Sequence, residues 1–315
     1  MISSNPYTES DLPIQDGVAY HLGIRAEDLA DSILIVGDPD RVDAIAGDFM
    51  ERIEVRISHR GLTTITGIAS DTQQRITITT SGMGAPSAEI VLNELVALSE
   101  VDTRTRIRKV GQASLTIIRL GTSGALQHAT VLGTSIITSQ AVGFDSSAWF
   151  YAEGLTHDPT SRELAHALQV RVESSIPRGH PAFGKIMPYG ASATPAVTQA
   201  LKMAADSLGV AYEVGATVTA SGFFAPQGRD VGRIRPSVPD LDRLAAADPR
   251  FLNMDMETSF VLHFCGGHGF QVGAICVAAA NRALNTFAAD IAEHMRGAAR
   301  VAIHALHALK SHRQV

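Results

Sequence analysis

Cysteine is scarce in this 315-residue sequence, which contains only Cys265 and Cys276. Two cysteines in apolar runs are too few for a disulfide framework or a four-ligand zinc site, so we interpret both as core thiols in a reducing compartment. Lysine and arginine (26) are outnumbered by aspartate and glutamate (32), which argues against the basic surface that nucleic-acid binding needs. No apolar run approaches the roughly 20 residues of a membrane helix, and the polar first residues show no signal peptide. We therefore expect a soluble, cytoplasmic protein without membrane or nucleic-acid partners.

The composition is that of an ordinary globular protein, 45% hydrophobic and 18% charged. Short β-branched runs that end in glycine alternate with segments of helical period, which is typical of βα units around a buried sheet. The predicted strands are 33–36, 75–80, 115–120, 131–138, 184–189, 211–219 and 271–280. One predicted helix begins at Pro86, and four others cover 161–172, 195–208, 256–264 and 288–309. No linker or repeat divides the chain, so we predict one domain over 1–315, with 1–20 as an N-terminal extension.

Several predicted strands end in glycine-rich turns that hold an arginine, a threonine or a serine. In parallel α/β sheets such turns meet at one edge, where backbone amides and helix N-termini bind anions. Arg119 is the most informative residue, because it interrupts an apolar strand and a buried guanidinium needs an anionic partner. That partner is either an internal carboxylate or a bound phosphate. Two carboxylates, Asp255 and Glu257, stand close together at the start of a predicted helix.

Familiar catalytic signatures are incomplete in this chain. The segment GMG at 82–84 lacks the third glycine of a dinucleotide fingerprint. The turn after Arg119 has Ala125 where a nucleophile elbow has glycine, so Ser123 is not an expected nucleophile. The 12 histidines show no metal-ligand spacing, and no metal site is predicted. Four of them are expected on the surface of helices or loops: His263, His268, His304 and His307.

A series of motifs runs along nearly the whole chain. They are YHLG at 20–23, GDPDRV at 37–42, SHR at 58–60, GMGAPS at 82–87, IRLGTSG at 118–124, FFAPQGR at 223–229, MDMET at 254–258 and NR at 281–282. In this order and spacing the sequence resembles the nucleoside phosphorylase-I family, most closely its uridine phosphorylases. The resemblance implies an α/β fold, a single-domain three-layer α/β/α arrangement with a central mixed, partly barrel-like sheet.

The resemblance also implies a role for each matching residue. The phosphate-binding set would be Gly37, Arg41, Arg119 and Thr122, with Arg60 from a neighbouring subunit. The ribose-binding set would be Met256 and Glu257, with His21 from the partner subunit at the 5′ hydroxyl. The base-binding set would be Phe223, Gln227, Arg229 and Arg282. The catalytic residues among these would be Arg119, Arg229 and Glu257.

The activity implied is reversible phosphorolysis of uridine to uracil and ribose 1-phosphate, a pentosyltransferase reaction of pyrimidine salvage. Phosphate is a co-substrate that attacks C1′, so no protein nucleophile and no cofactor is implied. Sites shared between subunits imply a homo-oligomer. Two alternatives remain open: a purine or broad-specificity nucleoside phosphorylase of the same family, and a non-catalytic nucleoside-binding relative.

Three positions bear on these expectations. Purine-specific relatives typically carry an aspartate where this chain has Asn281 before Arg282, which favours a pyrimidine. Asp255 stands where the family usually has glutamate, so the ribose contact is altered or carried by Glu257 alone. Gly61 replaces an acidic residue that helps bacterial members to bind a monovalent cation, so we do not predict that cation here.

Overall fold

The structure is a computed structural model that describes residues 5–154, 158–234, 236 and 240–311. These residues contain fifteen strands and seven α-helices. The strands are β1 (Ile14–Gln15), β2 (Val18–Ala19), β3 (Ser32–Val36), β4 (Met50–His59), β5 (Leu62–Ala69), β6 (Arg75–Thr80), β7 (Val101–Asp102), β8 (Ile107–Arg108), β9 (Thr116–Ala125), β10 (Ser135–Gly143), β11 (Tyr189–Ser192), β12 (Tyr212–Thr219), β13 (Phe251–Asp255), β14 (Gln271–Asn281) and β15 (Thr286–Phe287). The helices are α1 (Pro39–Phe49), α2 (Ala85–Glu100), α3 (Pro159–Ser175), α4 (Pro195–Leu208), α5 (Leu241–Ala246), α6 (Thr258–Gly267) and α7 (Ile291–Ser311). None of the helices in these ranges is long and apolar enough to cross a membrane.

One eleven-stranded sheet forms the centre of the described chain. Five of its strands, β9, β14, β10, β12 and β13, close into a ring because β9 pairs with both β13 and β14. From β9 the sheet continues outward through β3 and β6 to β5 and β4. The pairs β3–β9 and β3–β6 are parallel, whereas β13–β9 and β10–β14 are antiparallel. The predicted mixed, partly barrel-like sheet is therefore confirmed.

Helices cover both faces of this sheet. In β3, Ile33 and Ile35 pack into an apolar cluster with α2 and α6, while Leu34 and Val36 pack into another with α1, α4 and α7. Successive side chains of a strand point to opposite faces, so burial of both sets requires helices on both sides. The third apolar cluster joins α3 and α5 to β12 and β13. The predicted three-layer α/β/α arrangement is confirmed, and the assignment of 1–315 to one domain stays a prediction.

Two predicted strands are shifted along the chain in the structure, whereas the other predicted elements overlap observed ones over most of their length. The strand expected at 131–138 is β10 at 135–143, because a turn with Gly133 at φ +86° precedes it. The strand expected at 184–189 begins only at Tyr189 as β11, which pairs antiparallel with β10. Ile186 packs instead against the third apolar cluster.

One histidine prediction is also wrong. His263 is buried with 2% of its surface exposed, not on the surface as its position in a helix suggested. The cause is that α6 is apolar on all sides and every residue from Thr258 to Cys265 is buried. A helix that is apolar on all sides is normally buried in a core, and His263 is buried together with the rest of the helix.

Candidate active site

The candidate site is centred on Arg119, which β9 places inside the sheet with 4% of its surface exposed. The turn between β13 and α6 brings two carboxylates against it. Arg119 Nη1 lies 2.8 Å from Asp255 Oδ2, and Nη2 lies 2.5 Å from Glu257 Oε2. Burial alone would lower the pKa of Arg119, but the carboxylates of Asp255 and Glu257 raise it above its usual value, so the group stays charged. Internal carboxylates thus supply the anionic partner that the sequence required.

Other groups hold the same cluster in place. Arg119 Nη1 also lies 3.0 Å from Thr258 Oγ1 and 3.0 Å from Cys276 Sγ. The second oxygen of Glu257, Oε1, accepts a hydrogen bond of 2.5 Å from the backbone N–H of Gly84. Burial raises the pKa of the Cys276 thiol to about 11, although nearby Arg119 acts in the opposite direction. The thiol is therefore a neutral neighbour of the guanidinium.

Arg41 is a second cation near this cluster. It lies in the first turn of α1, and its guanidinium makes no ion pair or side-chain hydrogen bond with the described residues. Burial lowers its pKa and repulsion from Arg119 adds to this effect, whereas Asp38 acts in the opposite direction. A partly buried guanidinium that no carboxylate neutralises attracts an anion.

Gly37, Thr122 and Met256 lie in or next to the strands that carry the site. β3 and β9 run parallel with Val36 opposite Leu120, so Gly37 follows β3 at the level where β9 reaches Thr122. Thr122 is partly exposed within β9. Met256 stands between β13 and α6, directly before the carboxylate that Arg119 contacts, and is also partly exposed. The structure therefore brings the chain's own predicted phosphate and ribose residues to one edge of the sheet.

The predicted base-binding residues contact one another in the loop 221–229. Gln227 is buried, and its Nε2 donates a hydrogen bond of 3.1 Å to the Gly222 carbonyl. Its Oε1 accepts a hydrogen bond of 2.7 Å from Arg229 Nη1. The Arg229 guanidinium also lies over the Phe223 ring, 3.9 Å from the ring centroid. Phe223 itself remains half exposed, so its ring has a free surface.

Arg282 connects this loop to α5. Its Nη2 donates a hydrogen bond of 2.9 Å to the Gln227 carbonyl, and its Nε and Nη2 lie 3.1 and 2.9 Å from Asp242 Oδ2. Burial and repulsion from Arg282 lower the pKa of Arg229. Sequence reasoning did not identify Asp242. The side-chain amide of the buried Asn281 donates hydrogen bonds to two backbone carbonyls of the turn after β9 and stabilises that turn.

His21 and Arg60 lie together, apart from the Arg119 cluster. His21 Nδ1 lies 2.7 Å from Glu94 Oε1, and Arg60 Nη1 donates a hydrogen bond of 3.4 Å to the Tyr20 hydroxyl. Neither side chain forms a hydrogen bond or ion pair with the cluster within the described part of the chain. Sequence reasoning did not identify Glu94 either, although an acidic residue on the apolar face of α2 was a signal that could have pointed to it. No group of three or more His, Cys, Asp or Glu side chains in these ranges could hold a metal ion.

Comparison with known proteins identifies the family. Residues 31–310 match the family model of the Phosphorylase superfamily. The chain belongs to this superfamily. A uridine phosphorylase of Thermococcus kodakarensis is 29% identical over 87% of this chain and 81% of its own length. A uridine phosphorylase of Salmonella typhimurium is 26% identical over 84% of this chain and 86% of its own.

A solved structure supports the same assignment. A Trypanosoma brucei nucleoside phosphorylase that shows uridine phosphorylase activity superimposes with a TM-score of 0.82 and 28% sequence identity. The match covers 94% of this chain and 99% of the trypanosomal chain. The predicted family and fold are therefore confirmed by sequence and by structure.

Proposed function

We propose that this chain is a uridine phosphorylase, a pentosyltransferase that converts uridine and phosphate reversibly into uracil and ribose 1-phosphate. The observation that carries the proposal is the 2.5 Å contact between Arg119 and Glu257. A guanidinium binds an anion, and a carboxylate accepts hydrogen bonds from sugar hydroxyls. Side by side they would hold phosphate next to ribose, which attack of phosphate on C1′ requires. The relatives described above are uridine phosphorylases or show that activity, which supports the choice of nucleoside.

Phosphate would bind between Arg41 and Arg119. Asp255 and Glu257 more than balance the charge of Arg119, so the cation left to attract phosphate is Arg41, which has no ion-pair partner among the described residues. Gly37 and Thr122 would add backbone and hydroxyl contacts. Arg60 would reach the phosphate from a neighbouring copy of the chain.

Ribose would lie against Glu257 and Met256, with the carboxylate accepting from the 2′ and 3′ hydroxyls. His21 of a neighbouring copy would approach the 5′ hydroxyl. Because the ring's Nδ1 faces a carboxylate oxygen of Glu94 at 2.7 Å, its Nε2 is the atom left for the sugar. Because His21 and Arg60 would come from a neighbouring copy of the chain, a homo-oligomer is part of the proposal. Both cysteines are buried and unpaired, which supports the proposed cytoplasmic location.

Uracil would meet Gln227 and Arg229 and pack on Phe223. Each half of the Gln227 amide uses one hydrogen bond inside the loop, which leaves a second N–H and a second oxygen lone pair for the base edge. Negative charge develops on uracil as the glycosidic bond breaks, and the nearby Arg229 stabilises it. Positioning and charge would thus account for catalysis without a protein nucleophile.

Release of uracil from uridine, followed by ultraviolet absorbance with and without inorganic phosphate, tests the proposal. We expect turnover only when phosphate is present, and loss of turnover in Arg119→Met but not in Arg56→Met, a surface control. Turnover with inosine or adenosine in place of uridine would contradict the base assignment and favour the purine or broad-specificity alternative. Nucleoside binding without any turnover would favour a non-catalytic relative.

A further inference from the structure

β9 carries a glycine at position 121 that its backbone does not require. Gly121 is absent from the residues with positive φ, so any amino acid could adopt its conformation. A glycine inside a strand weakens the strand, and it commonly marks a place where another group approaches closely. Gly121 follows Arg119 by two residues, and therefore the two residues share one face of the strand.

The group that approaches Gly121 is the guanidinium of Arg119. A Cβ at position 121 would stand 2.5 Å from Arg119 Nη1 and 2.9 Å from both Cζ and Nη2. These are the three heavy atoms nearest to that Cβ position, and all belong to Arg119. Non-bonded heavy atoms normally stay about 3.5 Å apart or more. A methyl group at 121 would therefore push the guanidinium away by about 1 Å.

The Arg119 guanidinium cannot move aside without disturbing its other contacts. It is held by Asp255 at 2.8 Å and Glu257 at 2.5 Å, and Thr258 lies 3.0 Å from Nη1. A displacement of about 1 Å would disrupt the geometry of these short contacts. The Arg119 guanidinium lies over Gly121 while it contacts these partners.

We propose that Gly121 is a positioning residue whose missing side chain gives Arg119 the room to reach its two carboxylates. Its effect on phosphate rests on the function proposed above, whereas its effect on the guanidinium does not. Misplacing a reacting group by about 1 Å can cost about 100-fold in rate. We therefore expect Gly121→Ala to lower kcat/KM for phosphate about 100-fold.

A cycle of variants tests the geometric part without any assay of activity. The urea midpoint of unfolding is measured for the parent chain, Gly121→Ala, Arg119→Ala and the double variant. We expect the Gly121 substitution to lower the midpoint in the parent chain and to leave it unchanged in the Arg119→Ala background, where the methyl group has space. If Arg119→Ala does not fold, Arg119→Met takes its place, because methionine has no atom that corresponds to Cζ, Nη1 or Nη2, the three atoms that the methyl group would meet. An equal loss in both backgrounds would overturn the proposal.

Initial rates at varied phosphate test the functional part. The matched control is Gly47→Ala in α1, because a Cβ there would have no heavy atom within 4 Å. We expect this control to stay within about twofold of the parent rate, while Gly121→Ala loses about 100-fold. Full activity of Gly121→Ala in an active parent enzyme would overturn the positioning role. An inactive parent would instead overturn the proposed function, and the urea cycle would still decide the role of Gly121.

Discussion

Replacing Arg119 by methionine would leave two buried carboxylates without their cation. Methionine keeps a long, flexible side chain but removes the charge, and Asp255 and Glu257 are only 5% and 6% exposed. Breaking a buried ion pair from one side costs about 3–5 kcal/mol, because the remaining charge is desolvated and unpaired. Arg119 serves two such carboxylates, so we expect a loss of about 5 kcal/mol in the free energy of unfolding.

The chain offers a matched control in Arg56. Its Nε and Nη2 contact the two oxygens of Asp43 at 2.8 Å each, which is also a two-oxygen pairing of one guanidinium. The side chains of this pair are 50% and 43% exposed, so water screens the interaction and Arg56→Met should change stability only slightly. Urea unfolding followed by circular dichroism measures both variants. Equal stability of Arg119→Met and Arg56→Met would refute the claim that the carboxylates depend on Arg119.

Three further predictions concern single residues. Arg41→Met should weaken binding of inorganic phosphate in titration calorimetry. It should change the unfolding free energy by less than about 0.5 kcal/mol, since Arg41 has no ion-pair partner among the described residues. A loss of unfolding free energy as large as that of Arg119→Met would contradict this prediction. Asp242→Asn should raise KM for uridine about tenfold by loosening Arg282, while KM for phosphate stays constant in steady-state kinetics; a parallel rise of both constants would count against it. Burial raises the pKa of Cys276 to about 11, so iodoacetamide at about pH 8 should label Cys276 only in urea-unfolded protein, as read by mass spectrometry; labelling of the folded protein would show that the thiol is accessible.

The site could be predicted from the sequence where a local rule was strong. An arginine inside an apolar strand needs an anionic partner whatever the fold, and the structure supplies Asp255 and Glu257. The loop 221–229 was also predictable as a unit, because Gln227 and Arg229 are close in sequence and contact each other directly.

Other features depend on contacts between distant segments. Closure of the barrel joins β9 to β14, more than 100 positions apart in the sequence, and no local pattern specifies that pairing. Asp242 and Glu94 escaped prediction for the same reason, since the sequence shows their charge but not the distant Arg282 and His21 that they contact. For His263 the signal was present, because α6 is apolar on all sides.

The most direct test of the account is to follow uridine and inorganic phosphate with the purified protein by phosphorus NMR. We predict that the phosphate signal falls while a signal of ribose 1-phosphate rises in step with released uracil. Release of uracil with an unchanged phosphate signal would show hydrolysis by water, and it would contradict the phosphate role of Arg41 and Arg119.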